Sequence, residues 1–247
     1  MGTDRCFLSV VVPVFNEEGN VIPLHGQIIE AAHQTGLNFE IIFVDDGSTD
    51  NTLTELKTLR PVKVVVLQKN YGQSCALDAG IKHAQGDIIV TLDGDGQNDP
   101  AAIGALLKKL DEGYDAVCGW RKKRMDPFSK RFVAKGAWVL RALLVDDGVH
   151  DAGCTLRAYR RQCFSRMDLY GGLHRMVPGL LKWQGFKVTE IQVDHRPRLC
   201  GTTKYNWTRI VQGLKDMLYI WSWRRHPVSP LKSTQEYLIK EIYDVVA

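Results

Sequence analysis

Ile88 to Leu92 is an unbroken apolar and β-branched run that stops at two carboxylates, Asp93 and Asp95, with Gly94 between them and Gly96 after. A run this short and this apolar predicts a buried strand. The glycines predict a tight turn whose backbone approaches another group closely. Asp99-Pro100 follows, an N-cap residue and a first-turn proline, so a helix is expected to start there. Carboxylates at the carboxyl end of such a strand face the crevice where open α/β sheets bind ligands. Two of them suit a hard divalent cation carrying phosphate oxygens. The plain alternative is an acidic surface turn, because Asp-Gly is also common turn chemistry.

The residues before this stretch repeat its pattern. Leu8–Val14, Phe39–Val44 and Val62–Leu67 read as buried strands. Helical patterns run between them through about Thr35, over about 51–59 and over 72–84. Strands alternating with helices at this spacing predict an α/β domain with a largely parallel sheet and helices on both faces. Glu17, Asp45, Asp46, Asp93 and Asp95 all fall at the carboxyl ends of predicted strands. No Gly-x-Gly-x-x-Gly follows the first strand and no Gly-x4-Gly-Lys-Ser/Thr occurs, which argues against a dinucleotide oxidoreductase and a P-loop ATPase. A nucleotide held through a metal, with a carboxylate reading its base or ribose, remains.

Three motifs, V-V-V-P-V-F-N-E-E, F-V-D-D-G-S-T-D-N-T and L-D-G-D-G-Q-N-D-P, resemble in order and spacing the family 2 glycosyltransferases of the GT-A fold. The resemblance covers roughly residues 7–215 and looks closest to the polyprenyl-phosphate glycosyltransferase branch, the dolichyl-phosphate mannose synthase-like enzymes. It implies a Rossmann-like single domain with a mostly parallel central sheet flanked by helices. It also implies Mg²⁺ or Mn²⁺ and the donor diphosphate at Asp93 and Asp95, with Gln97 assisting. Pro13, Phe15, Glu17, Asp45 and Asp46 would line the nucleoside pocket. The donor would be a UDP-sugar or GDP-mannose, since Asp45-Asp46 suits either uracil or guanine.

The second half carries the opposite charge. Residues 1–119 hold 8 Lys+Arg against 17 Asp+Glu, a net of −9; residues 120–247 hold 24 against 11, a net of +13, and together they return the overall +4. Such asymmetry predicts cation binding in one half and anion handling in the other. Asp115–Gly119 reads as a strand opening into the basic stretch Trp120–Arg124 and Phe128–Arg131, a phosphate-binding cluster or a solvated loop. In the family a basic loop here contacts phosphates, which makes Arg121 and Arg131 the candidates. Residues 132–145 follow as an apolar helix pattern. His150–Arg161 resembles the family's D-x-G-x-x-x-R segment, where the acid lies beside the acceptor, so Asp151 is the candidate catalytic carboxylate with Asp95 and Arg121. A phosphate monoester has a second pKa of about 6, so such an acceptor needs no strong base. A helix over about 176–184 and a strand over 186–193 are expected next; His174 reads as a packed or capping residue. His195–Tyr205 resembles the family's H-x-x-R-x-x-G-x-S-K-Y loop, with Thr203 at the usual serine. Arg198 and Lys204 would close over the diphosphate as a lid that excludes water.

Trp207, Ile210, Val211, Leu214, Met217, Leu218 and Trp221 fall on one face of a predicted helix. It reads either as packed on its own domain or as interfacial, with aromatic anchors and a basic flank. The expected organisation is a GT-A domain over residues 1–205, then an amphipathic helix and a mixed polar tail over 206–247. Met1 leads straight into a strand, so no signal peptide is expected, and no apolar run reaches the roughly 18 residues of a membrane span. The six cysteines form no Cys-x-x-Cys pair and read as reduced core residues. A cytoplasmic protein, peripheral at the cytoplasmic face of the membrane, follows from these expectations, with a homo-oligomer or a membrane-anchored partner compatible with them. The expected activity is inverting transfer of a sugar to undecaprenyl or dolichyl phosphate. The alternatives are a family 2 enzyme acting on a lipopolysaccharide or other glycan hydroxyl, and a non-catalytic nucleotide-sugar-binding protein. No helix-turn-helix or RNA-binding signature accompanies the basic residues, so no nucleic-acid partner is expected.

Overall fold

A computed structural model describes residues 7–121, 148–198, 218, 221 and 236–245. In chain order the strands are β1 (Phe7–Val14), β2 (Asn38–Asp45), β3 (Val62–Leu67), β4 (Ile88–Thr91), β5 (Ala116–Arg121), β6 (Arg157–Arg160), β7 (Val188–Val193) and β8 (Ile239–Val245). The helices are α1 (Val21–Gln34), α2 (Thr52–Leu56), α3 (Gln73–His83), α4 (Ile103–Asp111) and α5 (Val177–Trp183). All the strands join one sheet in the order β7-β5-β6-β4-β1-β2-β3-β8. The central four, β4-β1-β2-β3, are parallel, as is β5-β7; β6 and β8 pair antiparallel with their neighbours.

The apolar runs fill the middle of this sheet because parallel strands are covered on both faces and have no wet side. Alternate residues of β1 serve different layers. Val10 and Val12 pack with Val21, Leu24 and Ile28 of α1 and with Ile103, Leu106 and Leu110 of α4. Val11 faces the other way and packs with Ala76, Ala79 and Ile81 of α3 and with Leu180 and Leu181 of α5. At Gly80 of α3 an added Cβ would run into Val11 Cγ1 and lie 2.9 Å from Val44 Cγ2, so the helix sits directly on β1 and β2.

Two local expectations change. Asp99 Oδ1 accepts from the Ala101 amide at 2.9 Å as a cap does, but the first turn, Pro100–Ala102, is a 3₁₀ turn before α4 proper. The stretch expected as polar tail contains β8, whose Tyr243 packs on the core and pairs with Val64 in register. Its alternating exposure marks an edge strand, half wet and therefore compositionally mixed. Cys75, Cys118, Cys154 and Cys163 are buried free thiols, as expected of core residues; Cys6 and Cys200 lie outside the described residues. The predicted helix over 132–145, Arg131 and Lys204 also lie outside them.

Candidate active site

The strand order reverses between β1 and β4. The helices that follow, α1 and α4, cover the same face of the sheet, so the turns leaving β1 and β4 lie side by side at the carboxyl ends where such sheets bind ligands. Gly94 allows the acidic turn to lie against the end of β1: a Cβ there would meet Val14 Cγ1 at 2.5 Å and the Pro13 carbonyl oxygen at 3.2 Å. Pro13 is fixed inside β1 opposite Val44 of β2, and Phe15 and Glu17 stand on the turn that follows. That turn is held by Asn16, which takes the left-handed conformation (φ 53°) and accepts from the Thr49 amide at 2.8 Å.

Arg198 joins the two turns. Its guanidinium donates to Asp95 Oδ2 at 2.8 Å and reaches Glu17 Oε1 at 3.4 Å. Glu17 is buried, and its other oxygen accepts from Asn20 Nδ2 at 2.8 Å. The segment carrying Arg198 is docked on the acidic turn. The Arg196 amide donates to the Gln97 carbonyl at 3.0 Å, and the Arg196 side chain pairs with Asp99 at 2.7 Å. The Gln97 amide donates to Asp95 Oδ1 at 3.0 Å, which tightens the turn around that carboxylate.

Asp93 is supported from two sides. Its Oδ1 accepts from Gln73 Nε2, in the first turn of α3, at 2.6 Å. Its amide donates to Asn98 Oδ1 at 3.0 Å, an oxygen that also accepts from Thr155 Oγ1 at 3.1 Å. Burial first, and then the charge of Asp95, push the Asp93 carboxyl above its ordinary range, while Thr155, Arg121 and Gln73 pull it back. A divalent cation between the two acids would relieve that repulsion. No three His, Cys, Asp or Glu side chains converge as a metal cage among the described residues. Mg²⁺ takes one or two carboxylates and completes its shell from water and phosphate, so Asp93 and Asp95 are the side chains that would hold it.

At the end of β2 the two acids differ. Both oxygens of Asp46 are used by the backbone, accepting from the Tyr71 and Gly72 amides at 2.7 and 2.9 Å. Burial pushes Asp46 up to about 6, with the neighbouring Asp45 charge adding to it. Asp45 is raised chiefly by burial and accepts from the Ser48 amide at 3.2 Å.

Across the crevice, the last residue of β5 meets the loop before β6. Arg121 grips Asp151 with two bonds, Nε to Oδ2 at 2.7 Å and Nη2 to Oδ1 at 3.1 Å. Burial works against the Arg121 charge, but the bonds and charge of Asp151 more than offset it, and the group is held protonated. Beside this pair Trp120 stacks on His150 at 4.4 Å between centroids, and His150 pairs with Glu190 of β7 at 2.7 Å.

Two acidic turns and a paired arginine thus stand at the carboxyl ends of the central strands, and comparison with known proteins shows the family. Residues 9–167 match the family model described as Glycosyl transferase family 2. The chain belongs to this family. It is 35% identical over 90% of its length to dodecaprenyl-phosphate galacturonate synthase of Rhizobium johnstonii, spanning 69% of that protein. It is 36% identical over 86% of its length to undecaprenyl-phosphate 4-deoxy-4-formamido-L-arabinose transferase of Shewanella sediminis, spanning 66% of it. The chain therefore spans about two thirds of the length of these curated relatives. Its fold superposes on glucosyl-3-phosphoglycerate synthase of Mycobacterium tuberculosis in complex with Mn²⁺, UDP and glucosyl-3-phosphoglycerate, with a TM-score of 0.66 at 18% identity. That match covers 97% of this chain and 88% of the other.

In this family 2 glycosyltransferase the structure gathers Glu17, Asp93, Asp95, Gln97 and Arg198 at one rim and pairs Arg121 with Asp151. Sequence reasoning missed Asn16, Gln73, Asn98, Thr155 and Glu190. Asn16 had a signal, since asparagine enters the left-handed region more readily than most residues. Asn98 lies in the acidic motif itself, five residues from Asp93, whereas Gln73, Thr155 and Glu190 had no signal: their partners lie 20, 57 and 40 residues away, and only the fold brings them together.

Proposed function

We propose that this glycosyltransferase moves a sugar from a nucleotide-sugar, UDP- or GDP-linked, to a polyprenyl phosphate with inversion at the anomeric carbon. The observation that carries the reading is the crevice at β1 and β4, where paired acids, Asp93 and Asp95, meet paired cations, Arg198 and Arg121. A cation and a diphosphate need both signs in one place. The named relatives, a dodecaprenyl-phosphate and an undecaprenyl-phosphate sugar transferase, support the acceptor class.

Asp93 and Asp95 would hold Mg²⁺ or Mn²⁺, with Gln97 at the turn. The cation, when bound, neutralises charge on the departing diphosphate. Pro13, Phe15 and Glu17 border the nucleoside. Asp46 anchors the turn at residues 71–72, so of the two acids Asp45 reads the base or ribose. Arg198, held beside Asp95 and Glu17, is the cation nearest to where the diphosphate would sit; Lys204 and Arg131 are assigned phosphate contacts from the family pattern. The bond from the anomeric carbon to the diphosphate oxygen breaks, its electron pair leaving with the diphosphate. The bond to the acceptor phosphate oxygen forms from the opposite face. Asp151 has both oxygens engaged by Arg121, which suits orientation of the acceptor over proton abstraction. A phosphate acceptor, largely ionised near neutral pH with a second pKa of about 6, needs no base; a neutral glycan hydroxyl does.

The protein is placed peripherally at the cytoplasmic face of the membrane, where such an acceptor presents its headgroup. Leu218 and Trp221, the described residues of the predicted interfacial helix, are helical and exposed at 50% and 39%. No helix among the described residues is long and apolar enough to cross a membrane.

The test is product formation from a panel of UDP- and GDP-sugars with Mn²⁺, with and without undecaprenyl or dolichyl phosphate. The expected result is sugar on the lipid phosphate with one donor. Donor hydrolysis that the lipid does not redirect would overturn the acceptor assignment.

A further inference from the structure

The loop carrying Asp151 has its backbone held from both sides by side chains of opposite charge. On one side the Glu190 carboxylate accepts from the His150 amide, at 2.9 Å to each oxygen, and lies 3.4 Å from the Asp151 amide. On the other, Arg157 of β6 fans its guanidinium over carbonyls. Nε donates to Cys154 O at 2.7 Å and Nη2 to Ala152 O at 2.6 Å, while Nη1 donates to His174 O at 2.8 Å. Arg157 is 2% exposed. Burying a guanidinium against neutral oxygens costs desolvation that an apolar residue would avoid. Its planar fork gives something no apolar residue can, fixed donors aimed at several carbonyls at once.

The third carbonyl leads back to the donor side. His174 Nδ1 lies 2.7 Å from Ser74 Oγ, and the His174 amide donates to the same oxygen at 3.2 Å. Ser74 stands in the first turn of α3 beside Gln73, whose amide holds Asp93. One helix end thus supports the cation-binding acid directly and the Asp151 loop through His174 and Arg157.

We propose that Arg157 is a positioning residue that sets Asp151, and through it Arg121, by gripping the carbonyls of residues 152 and 154, with Ser74 and His174 tying that grip to α3. The kinetic part of this inference rests on the reading of Asp151 as an acceptor-side group; the structural part does not. Arg157→Lys keeps the charge but replaces the fork with a single point donor.

The experiment follows the Arg121 Nε–H resonance by NMR, assigned with Arg121→Lys, in the wild type and in Arg157→Lys, together with kcat and the affinity for UDP and GDP. The expected result is a folded variant whose Arg121 Nε–H exchanges at least about tenfold faster and whose kcat falls about 100-fold, the scale of a small misplacement, with nucleotide affinity unchanged. In an Asp151→Asn background the same change is expected to add little to the loss in kcat. An unshifted Arg121 resonance, or full additivity with Asp151→Asn, overturns the proposal. If the wild type transfers no sugar to polyprenyl phosphate, the functional reading falls and the resonance alone decides the positioning role. Should Arg157→Lys fail to fold, Ser74→Ala supplies the milder test. Faster Arg121 exchange supports the tie to α3, and an unchanged resonance refutes it.

Discussion

Asp151→Asn separates an acid held in place from an acid free to act as a base. The Arg121 guanidinium meets Asp151 at 2.7 and 3.1 Å, and the two side chains are only 12% and 4% exposed. Asparagine keeps the shape, removes the charge and turns one acceptor into a donor facing the guanidinium. Breaking a buried pair from one side costs about 3–5 kcal/mol; the acceptor that remains places this variant near the lower end, about 3 kcal/mol. Unfolding entropy of about 2.1 cal/mol/K per residue gives about 0.5 kcal/mol/K for 247 residues, so Tm should fall by about 6 °C. Arg121→Met, which strands the carboxylate instead, should cost a similar amount. The double variant buries neither charge and should lose less than the two single losses together, by about 2 kcal/mol of coupling. Urea unfolding and thermal melts followed by circular dichroism at neutral pH measure all four proteins. Single losses below about 1 kcal/mol that simply add would refute the reasoning, because the pair would then behave as an exposed one.

Four further outcomes are expected. Asp95→Asn should lower metal-dependent turnover by about 100-fold or more with the melt retained; full activity in the variant, or wild-type activity unaffected by a chelator, would contradict the assignment. Asp46 is held near 6 in the folded state against an ordinary 3.8, so the native protein binds the extra proton between those values. Its contribution to stability is greatest below 3.8 and is lost as pH rises through 6. The stability difference between wild type and Asp46→Asn should therefore shrink or reverse from pH 4 to pH 7, and a flat difference would refute the shift. Gly80→Ala should cost about 1–3 kcal/mol in urea unfolding, since its methyl meets Val11 and Val44 where α3 lies on the sheet. Trp221→Ala should reduce flotation on anionic vesicles with soluble-donor affinity unchanged; equal flotation of both proteins would place the helix against its own domain.

The sheet was legible because burial on both faces leaves strands such as Val10–Val14 and Ile41–Val44 with no polar alternation to confuse them. The acidic turn was legible because glycine and aspartate announce tight turns locally. The wet edge strand β8 was not, because Lys240, Glu241 and Asp244 give it the composition of a tail; it becomes a strand only by pairing with β3.

By itself the sequence determined the α/β alternation, the carboxylates at the strand ends and the charge division between the halves. All of these are set by neighbours in the chain: apolar period, capping and turn chemistry. The tertiary structure decided which charges meet. Arg198 reaches Asp95 from 103 residues away, Ser74 reaches His174 from 100, and Arg121 grips Asp151 from 30. A hydrogen bond is specified within a few tenths of an ångström, and only the strand order that closes β4 beside β1 and β6 brings those groups within that range.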